Sequence, residues 1–317
     1  VPSPHSPLCS IIIPARNCRD YLPTALASVD LQHVDDLEIL VVDDGSTDGT
    51  AEWLAGDRRA RAPIVLLETG GVGVSRARNA ALARARGTFI AFLDADDLWW
   101  PDKLRRQLAF HRENPSVGLS FTDYMHMTPD GLTHGTCFAF WGEAWGVDGG
   151  RFAVVENAEC RLLATNVIGT SATVVRRDVM TRLGGFSTDC KSAEDWDLWL
   201  RMAAAAPVAC SRMVGMTYLM RPNGETSAKA RRIEAMHGII ARYDGDRRPD
   251  FVAARRQAKA RLATADAEHL AGQGRHLSAA RHHLQALMAV PSLRTLKAAA
   301  AAGLDAAAAK VKQGKAA

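Results

Sequence analysis

One stretch limits what this chain can fold into more than any other: Gly87-Thr-Phe-Ile-Ala-Phe-Leu-Asp94-Ala-Asp96-Asp97-Leu-Trp-Trp-Pro101. Phe89 to Leu93 is a short apolar, aromatic-rich run that reads as a buried strand. Three carboxylates follow within four residues, just before a helix opened by Pro101. Burying such a cluster in a core would be prohibitive, so it belongs at the strand's mouth. In an open α/β sheet the carboxyl ends of strands are where ligands bind. Asp94 and Asp96 sit two apart, so both can face one side of an extended segment. Hard oxygen ligands so placed suit Mg²⁺ or Mn²⁺, which keeps several waters and takes substrate phosphates. The plainer reading is an acidic, solvated turn capping the next helix.

The flanking sequence supplies the rest of a sheet. Ser10-Ile-Ile-Ile-Pro14 is a β-branched run stopped by proline. A helix over Tyr21 to Leu31 follows, then Leu37-Glu-Ile-Leu-Val-Val-Asp43-Asp44-Gly45, a nearly continuous apolar strand running into a turn. Ile64 to Leu67 is a third strand. Gly70-Gly-Val-Gly73 loosens the backbone ahead of an Ala/Arg-rich helix, Ser75 to Ala85. After the carboxylate-tipped strand come a helix from Pro101 to Asn114 and a strand at Val117 to Phe121. This alternation predicts a doubly wound, mostly parallel sheet flanked by helices. Met125 to Phe152 breaks the pattern, Ala172 to Val175 is a further strand, and Tyr218 to Ser227 is polar and loop-like. Beyond Arg247 the chain is Ala-rich and helical, with a helix–turn–helix look around Gly272 and Gly274.

No apolar run reaches the ~20 residues of a membrane span. The opening residues lack a signal-peptide pattern and read as a disordered lead-in. Six cysteines (Cys9, Cys18, Cys137, Cys160, Cys190, Cys210) show no CxxC spacing, which favours reduced structural thiols over a disulfide framework or a zinc site. Residues 246–317 carry thirteen Lys and Arg against five Asp and Glu, a net of +8, while the remainder is net −4. A basic helical tail suits an anionic lipid surface, or is simply a solvated appendage.

Several signals converge on one site: Asp43-Asp44 after the second strand, Asp94 and Asp96 after the fourth, and a Gly-rich loop with Arg76 and Arg78 between them. Carboxylates for a base edge or metal, and arginines for phosphate, are what a sugar-nucleotide site needs. The ordered set resembles glycosyltransferase family 2, of the GT-A type, over roughly residues 8–228. The motifs are Ile-Ile-Pro-Ala-Arg-Asn at 12–17, Val-Asp-Asp-Gly-Ser-Thr-Asp at 42–48, Ala77-Arg78-Asn79, Asp94-Ala-Asp96 and Glu194-Asp195-Trp-Asp-Leu-Trp-Leu-Arg. Each is weak alone; five in order are specific.

The resemblance implies roles residue by residue. Asp44 matches the position that bonds the pyrimidine, with Asp43 shaping the turn. Pro14 and Arg16 lie at the donor nucleotide, Arg16 standing where relatives commonly carry an aromatic. Asp96 matches the metal ligand, supported by Asp94 through ribose or a metal-bound water. Apart from the resemblance, Asp97 has a plain structural reading as N-terminal cap of the helix opening near Trp100. Arg76 or Arg78 would meet phosphate, or else be salt-bridged on a helix surface. Asp195 matches the general base. Glu194, Trp196, Tyr218 and Arg221 fall on the acceptor side, with Ser227 in the same late loop as the last two and Asn166, Thr170 and Ser171 before a strand that lines it. Trp196 and Trp199 also fit a core face. His126 and His134 have no assigned role. No Gln-x-x-Arg-Trp motif is found, so single addition is expected over processive synthesis.

The resemblance thus implies an inverting, metal-dependent glycosyltransferase using Mn²⁺ or Mg²⁺. It would move one sugar from a nucleotide sugar, UDP favoured over dTDP or GDP, to a glycan or lipid-linked acceptor hydroxyl in surface polysaccharide or glycolipid assembly. A polyprenyl-phosphate sugar transferase and a non-catalytic GT-A-like adaptor module are the alternatives. The expected domains are a lead-in at 1–7 and a GT-A domain at 8–228, split into a nucleotide half (8–122) and an acceptor half (123–228). A helical extension (229–297) and an Ala/Lys-rich, partly disordered tail (298–317) follow. The protein is expected in the cytoplasm, peripheral at the inner face of the membrane through its basic helices, with no nucleic-acid partner.

Overall fold

Seven consecutive residues, Cys9–Ala15, form β1, buried along almost its whole length. The computed structural model describes residues 6–56, 62–142, 145–190, 192–221 and 229–316. The first five residues of the expected lead-in and Ser227 lie outside them. After β1 come α1 (Leu22–Asp30), β2 (Leu37–Asp43), α2 (Thr50–Ala55), β3 (Ile64–Glu68), α3 (Val74–Arg84), β4 (Phe89–Phe92), β5 (Leu98–Trp99) and α4 (Lys103–Glu113). Then follow β6 (Leu119–Met127), β7 (Thr133–Thr136), α5 (Cys137–Trp141), β8 (Ala153–Val154), α6 (Ala158–Ala164) and a 3-10 turn at Thr170–Ala172. The elements β9 (Thr173–Arg176), α7 (Arg177–Arg182), α8 (Glu194–Ala205) and β10 (Val208–Leu219) complete the sheet region. Four helices close the chain: α9 (Lys229–Ala241), α10 (Pro249–Gly272), α11 (His276–Ala289) and α12 (Leu293–Ala316).

The chain divides into two units: Val1–Glu159 with Val167–Asp189 and Glu194–Pro222, and Cys160–Asn166 with Cys190–Ala193 and Asn223–Ala317. The first unit holds one sheet, ordered β3-β2-β1-β4-β9-β6-β10-β5, with β7 on β6 and β8 on β10. Strands β3, β2, β1 and β4 are mutually parallel. β1 and β2 are covered on both faces, which is why their sequences are continuous apolar runs, whereas β3 is an edge and half-exposed. Beyond β4 the expected parallel pattern gives way to a mixed one. β9 runs antiparallel to both β4 and β6, while β10 runs parallel to β6.

Glu38 is the exception inside β2. Its carboxylate is buried but accepts the Ser10 hydroxyl at 2.6 Å and a two-pronged Arg86 guanidinium at 3.0 and 2.8 Å. Burial pushes its pKa up, but these partners outweigh that and hold it below the usual range. Gly87 passes so close to β1 that a Cβ there would collide with the Ser10 amide nitrogen, which is why glycine precedes β4.

Several expectations need correction. The irregular segment from Met125 is partly regular, because β6 runs on to Met127 and pairs with β7 before α5. The segment from Tyr218 is not loop at its start, since β10 extends to Leu219 beside β6. Asp97 caps no helix. It is buried, accepting from the Ser171 hydroxyl at 2.6 Å and the Leu219 amide at 3.2 Å, and α4 begins only at Lys103. The tail expected to be partly disordered is helical through Ala316. All six cysteines are free, five of them buried, in keeping with structural thiols.

In the second unit α10 packs against α9 and α11, and α11 against α12. Phe251, Ala254, Ala258 and Leu262 form the buried stripe of α10. The turn at Gly274 (φ 75°) separates α10 from α11, where the sequence places a break.

Candidate active site

The carboxyl ends of the parallel strands coincide. Ala15 is level with Asp43, Asp43 with Glu68, and Ile12 with Phe92. The order β3-β2-β1-β4 also reverses beside β1, the topological switch where open α/β sheets bind ligands. Arg16, Asp44 and Asp94 therefore leave neighbouring strands at one edge.

The two acidic residues after β2 have separate tasks. Oδ1 of Asp43 accepts the Gly45 and Ser46 amides at 3.0 and 2.9 Å, closing the turn. Its Oδ2 is buried with no hydrogen-bond partner in the described chain. Asp44 instead fastens the Gly-rich loop. It accepts the Thr69 hydroxyl and the Val72 amide at 2.7 Å each and the Gly73 amide at 2.8 Å. Burial would raise its pKa, yet the Thr69 hydroxyl and the Gly73, Val72 and Gly71 amides hold it below the usual carboxylate range. Gly45 adopts φ +77°, and a Cβ there would sit 3.1 Å from the Gly71 nitrogen, so the two loops nearly touch. Pro14 lies half-buried in β1, and Arg16 is exposed just beyond it.

The two arginines of α3 part company. Arg76 is exposed on the first turn, its guanidinium donating to the Val72 carbonyl at 3.5 Å. Arg78 is buried and forks between two carboxylates: 2.6 Å to Asp94 Oδ1 and 2.9 Å to Glu194 Oε1. It is not the free phosphate ligand that the sequence allows. Burial works against its charge, but Asp94, Glu194 and Asp195 more than offset that and raise its pKa. The guanidinium also lies over the Phe186 ring, 5.1 Å from its centroid.

That fork joins motifs more than a hundred residues apart. Glu194, Asp195 and Asp197 occupy the first turn of α8, where negative charge complements the helix dipole. Ala193, at φ 55°, turns the chain into this helix. Asp195 is half-buried and accepts its neighbour's amide, Trp196 N–H, at 2.6 Å. Asp197 is buried and paired with Arg201 at 2.8 Å, a structural role. Trp196, expected on the acceptor side, is buried together with Trp199 and belongs to the core.

Arg221 lies on the other carboxylate of the pair. Its guanidinium is 2.6 Å from Asp96 and stacks on the Tyr21 ring at 4.9 Å. Asp96 is raised above the ordinary range, first by burial, then by the charge of Asp94, with Arg221 pulling the other way. Asp97 is raised further by burial and by both neighbours. Tyr218 stands level with His126 on β6, and their rings meet at 5.8 Å with Tyr124 alongside both. This cluster escapes a sequence reading, because its members lie on strands whose pairing the sequence does not disclose. Thr170 and Ser171 fall in the 3-10 turn before β9, Ser171 donating to Asp97 and receiving the Asp94 amide. Asn166 falls in the second unit.

Comparison with known proteins agrees with this geometry. Residues 10–146 match the family model described as glycosyl transferase family 2. TuaG of Bacillus subtilis (strain 168), named as a teichuronic acid biosynthesis glycosyltransferase, is 45% identical over 127 residues, covering 39% of this chain and 50% of its own length. The chain thus spans about half of that relative. Among solved structures, TarS 1-349 of S. aureus in complex with UDP-GlcNAc superposes with a TM-score of 0.61 at 21% identity, covering 89% of this chain and 81% of that one. The mannosyltransferase PcManGT of Pyrobaculum calidifontis, in complex with GDP-Man and Mn²⁺, gives a TM-score of 0.66 at 24% identity, covering 96% and 81%. At these identities the structures speak to the fold alone. With the switch-point site, the five ordered motifs and the matched family model together, residues 10–146 are a glycosyl transferase family 2 segment, and the sheet unit is built on the GT-A fold.

Proposed function

We propose that this chain is an inverting, metal-dependent glycosyltransferase that moves a single sugar from a nucleotide sugar to an acceptor hydroxyl, in surface polysaccharide or glycolipid assembly. The observation that carries the reading is the Arg78 fork, which ties Asp94, beside the nucleotide loops, to Glu194, beside Asp195. Donor-side and base-side carboxylates thereby share one rigid, buried cation. The transferase domain would extend over residues 8–228, followed by a helical extension (229–297) and a tail (298–317).

For the donor, Arg16, the Asp43–Ser46 turn and the Asp44-fastened loop lie at the ends of β1 and β2, where they would meet a nucleotide. The UDP-GlcNAc bound by TarS and the GDP-Man bound by PcManGT support that class. UDP is favoured, with dTDP and GDP as alternatives.

The residues present fit a divalent ion. Asp94 and Asp96 are adjacent carboxylates, and the charge of the first raises the pKa of the second, so a cation between them would relieve the repulsion. Among the described residues no cluster of three or more metal-type ligands occurs, so phosphate oxygens and water would have to complete the ion's shell. Asp96 would hold Mn²⁺ or Mg²⁺ with Asp94 in support; when bound, the ion offsets charge developing on the departing diphosphate.

The chain's own residues supply the remainder. Asp195 accepts the proton of the acceptor hydroxyl, whose oxygen attacks the anomeric carbon as the bond to the diphosphate oxygen breaks on the opposite face. One bond forms and one breaks in line, so the anomeric configuration inverts. Glu194 and Arg78 fix the start of α8, and Arg221 offers a positive charge beside Asp96. Among the described residues no helix is long and apolar enough to cross a membrane. A cytoplasmic location, peripheral at the inner face of the membrane through the basic C-terminal helices, completes the proposal.

The test is transfer from a panel of α-linked UDP-sugars to a lipid-diphosphate-linked sugar, with the product's anomeric coupling read by NMR. A β-linked product is expected. An α-linked product, or binding without transfer from any donor, would overturn the reading.

A further inference from the structure

On the last two helices, large apolar side chains stand exposed among the described residues. On α11, Leu277, Leu284 and Met288 are 64%, 50% and 64% exposed. Their spacing of seven and four residues puts all three on one stripe of the helix, and Arg281, also exposed, falls on the same stripe. The opposite face is Ala279 and Ala286, both buried. On α12 the pattern recurs: Leu293, exposed Lys297 and Leu304 line up, with Leu296 beside them, the leucines 52–74% exposed. α11 thus buries small residues, and both helices show solvent a row of large apolar side chains interrupted by a cation.

Charge identifies what covers such a face. From Arg275 to the end of the chain there are seven Lys and Arg and one acidic residue, Asp305. A second copy of the same stripe would oppose cation to cation with almost no carboxylate to answer, so self-association is disfavoured. An anionic lipid bilayer answers both features. The leucines and methionine enter the acyl boundary, and the long stems of Arg281 and Lys297 run over apolar surface while their heads meet lipid phosphates. We infer that the outer face of α11 and α12, centred on Leu277, Arg281, Leu284, Met288, Leu293 and Lys297, is a docking surface for an anionic membrane. This deepens the peripheral-membrane part of the proposed function, yet it stands on this unit's own residues and does not depend on the sugar chemistry.

The experiment is vesicle flotation of the full chain with phosphatidylcholine alone and with phosphatidylcholine containing phosphatidylglycerol. Two variants are compared with the native chain: Arg281→Glu/Lys297→Glu and Leu277→Ser/Leu284→Ser/Met288→Ser. All five positions are exposed, so both variants should keep native circular dichroism and native UDP binding. Binding is expected only with phosphatidylglycerol, weakened by salt and reduced at least about tenfold in each variant. Folded native protein that ignores the anionic vesicles, or variants that bind them undiminished, would overturn the docking surface. A dimer in sedimentation that the Leu/Met variant dissociates would overturn it in favour of a second copy. Loss of UDP binding in the native chain would instead strike the transferase reading and leave this one standing.

Discussion

Arg78 and Asp94 are joined by an ion pair of 2.6 Å in which the arginine is almost wholly buried, and the same guanidinium holds Glu194 at 2.9 Å. The carboxylates retain some exposure while the cation does not, so Arg78 is the fixed part and the acids are the working part. Replacing it by methionine leaves two neighbouring carboxylates without their shared counter-charge. The expected cost is about 2–3 kcal/mol, discounted for the acids' partial exposure. Arg78→Lys recovers only part, because a single ammonium cannot fork between two acids. Chemical denaturation of the three proteins measures this, and equal stabilities would show that the pair contributes nothing.

Asp195 should separate chemistry from binding. Asp195→Asn keeps the side chain's shape and its contact to the Trp196 amide, but cannot take a proton. Transfer should fall about 10²–10⁴-fold while nucleotide affinity stays within a few-fold of native. A matching loss of both would make Asp195 structural.

Arg221 occupies the carboxylate that an incoming cation would need. Arg221→Ala should therefore tighten Mn²⁺ binding in the absence of nucleotide, by a few-fold, given the modest worth of a partly exposed pair. Electron paramagnetic resonance of free Mn²⁺ reads this directly. Weaker metal binding in the variant would mean that the guanidinium helps assemble the site.

His111 predicts an acid-labile core. Burial lowers its pKa from 6.5 to about 4. Between those values the unfolded chain binds the proton that the folded chain refuses, so stability falls as pH drops through that window. The loss approaches about 3 kcal/mol at the bottom of it. Asp96 and Asp97, raised in the fold, act in the opposite direction. Comparing urea unfolding of native and His111→Gln protein at pH 7 and 4.5 isolates the histidine. Identical pH slopes would exclude it as the cause.

The parts legible in the sequence were those written in consecutive residues. β1, β2 and β4 are apolar runs that stop at polar residues, and the stops, Asp43-Asp44 and Asp94-Ala-Asp96, are the site's edge. What stayed hidden depends on partners far along the chain. Ala77-Arg78-Asn79 reads as an arginine on a helix, and only the fold brings Asp94 and Glu194 to it. Asp97 precedes a helix in sequence and looks like its cap, yet Ser171 and Leu219 claim it. Tyr218 looks like loop because its neighbours are polar, but pairing with β6 supplies the order that its composition does not. Arg221, expected toward the acceptor, reaches Asp96 because β10 pairs with β5, just after the acidic turn, and the Leu219 amide at its end donates to Asp97.

In the proposed function the edge after β4 is a metal-assisted nucleotide site. Calorimetric titration of UDP with and without Mn²⁺, on native protein and Asp96→Ala, tests it most directly. Binding is expected to strengthen at least tenfold with the metal and to lose that gain in the variant. UDP binding that ignores both the metal and the substitution would contradict it.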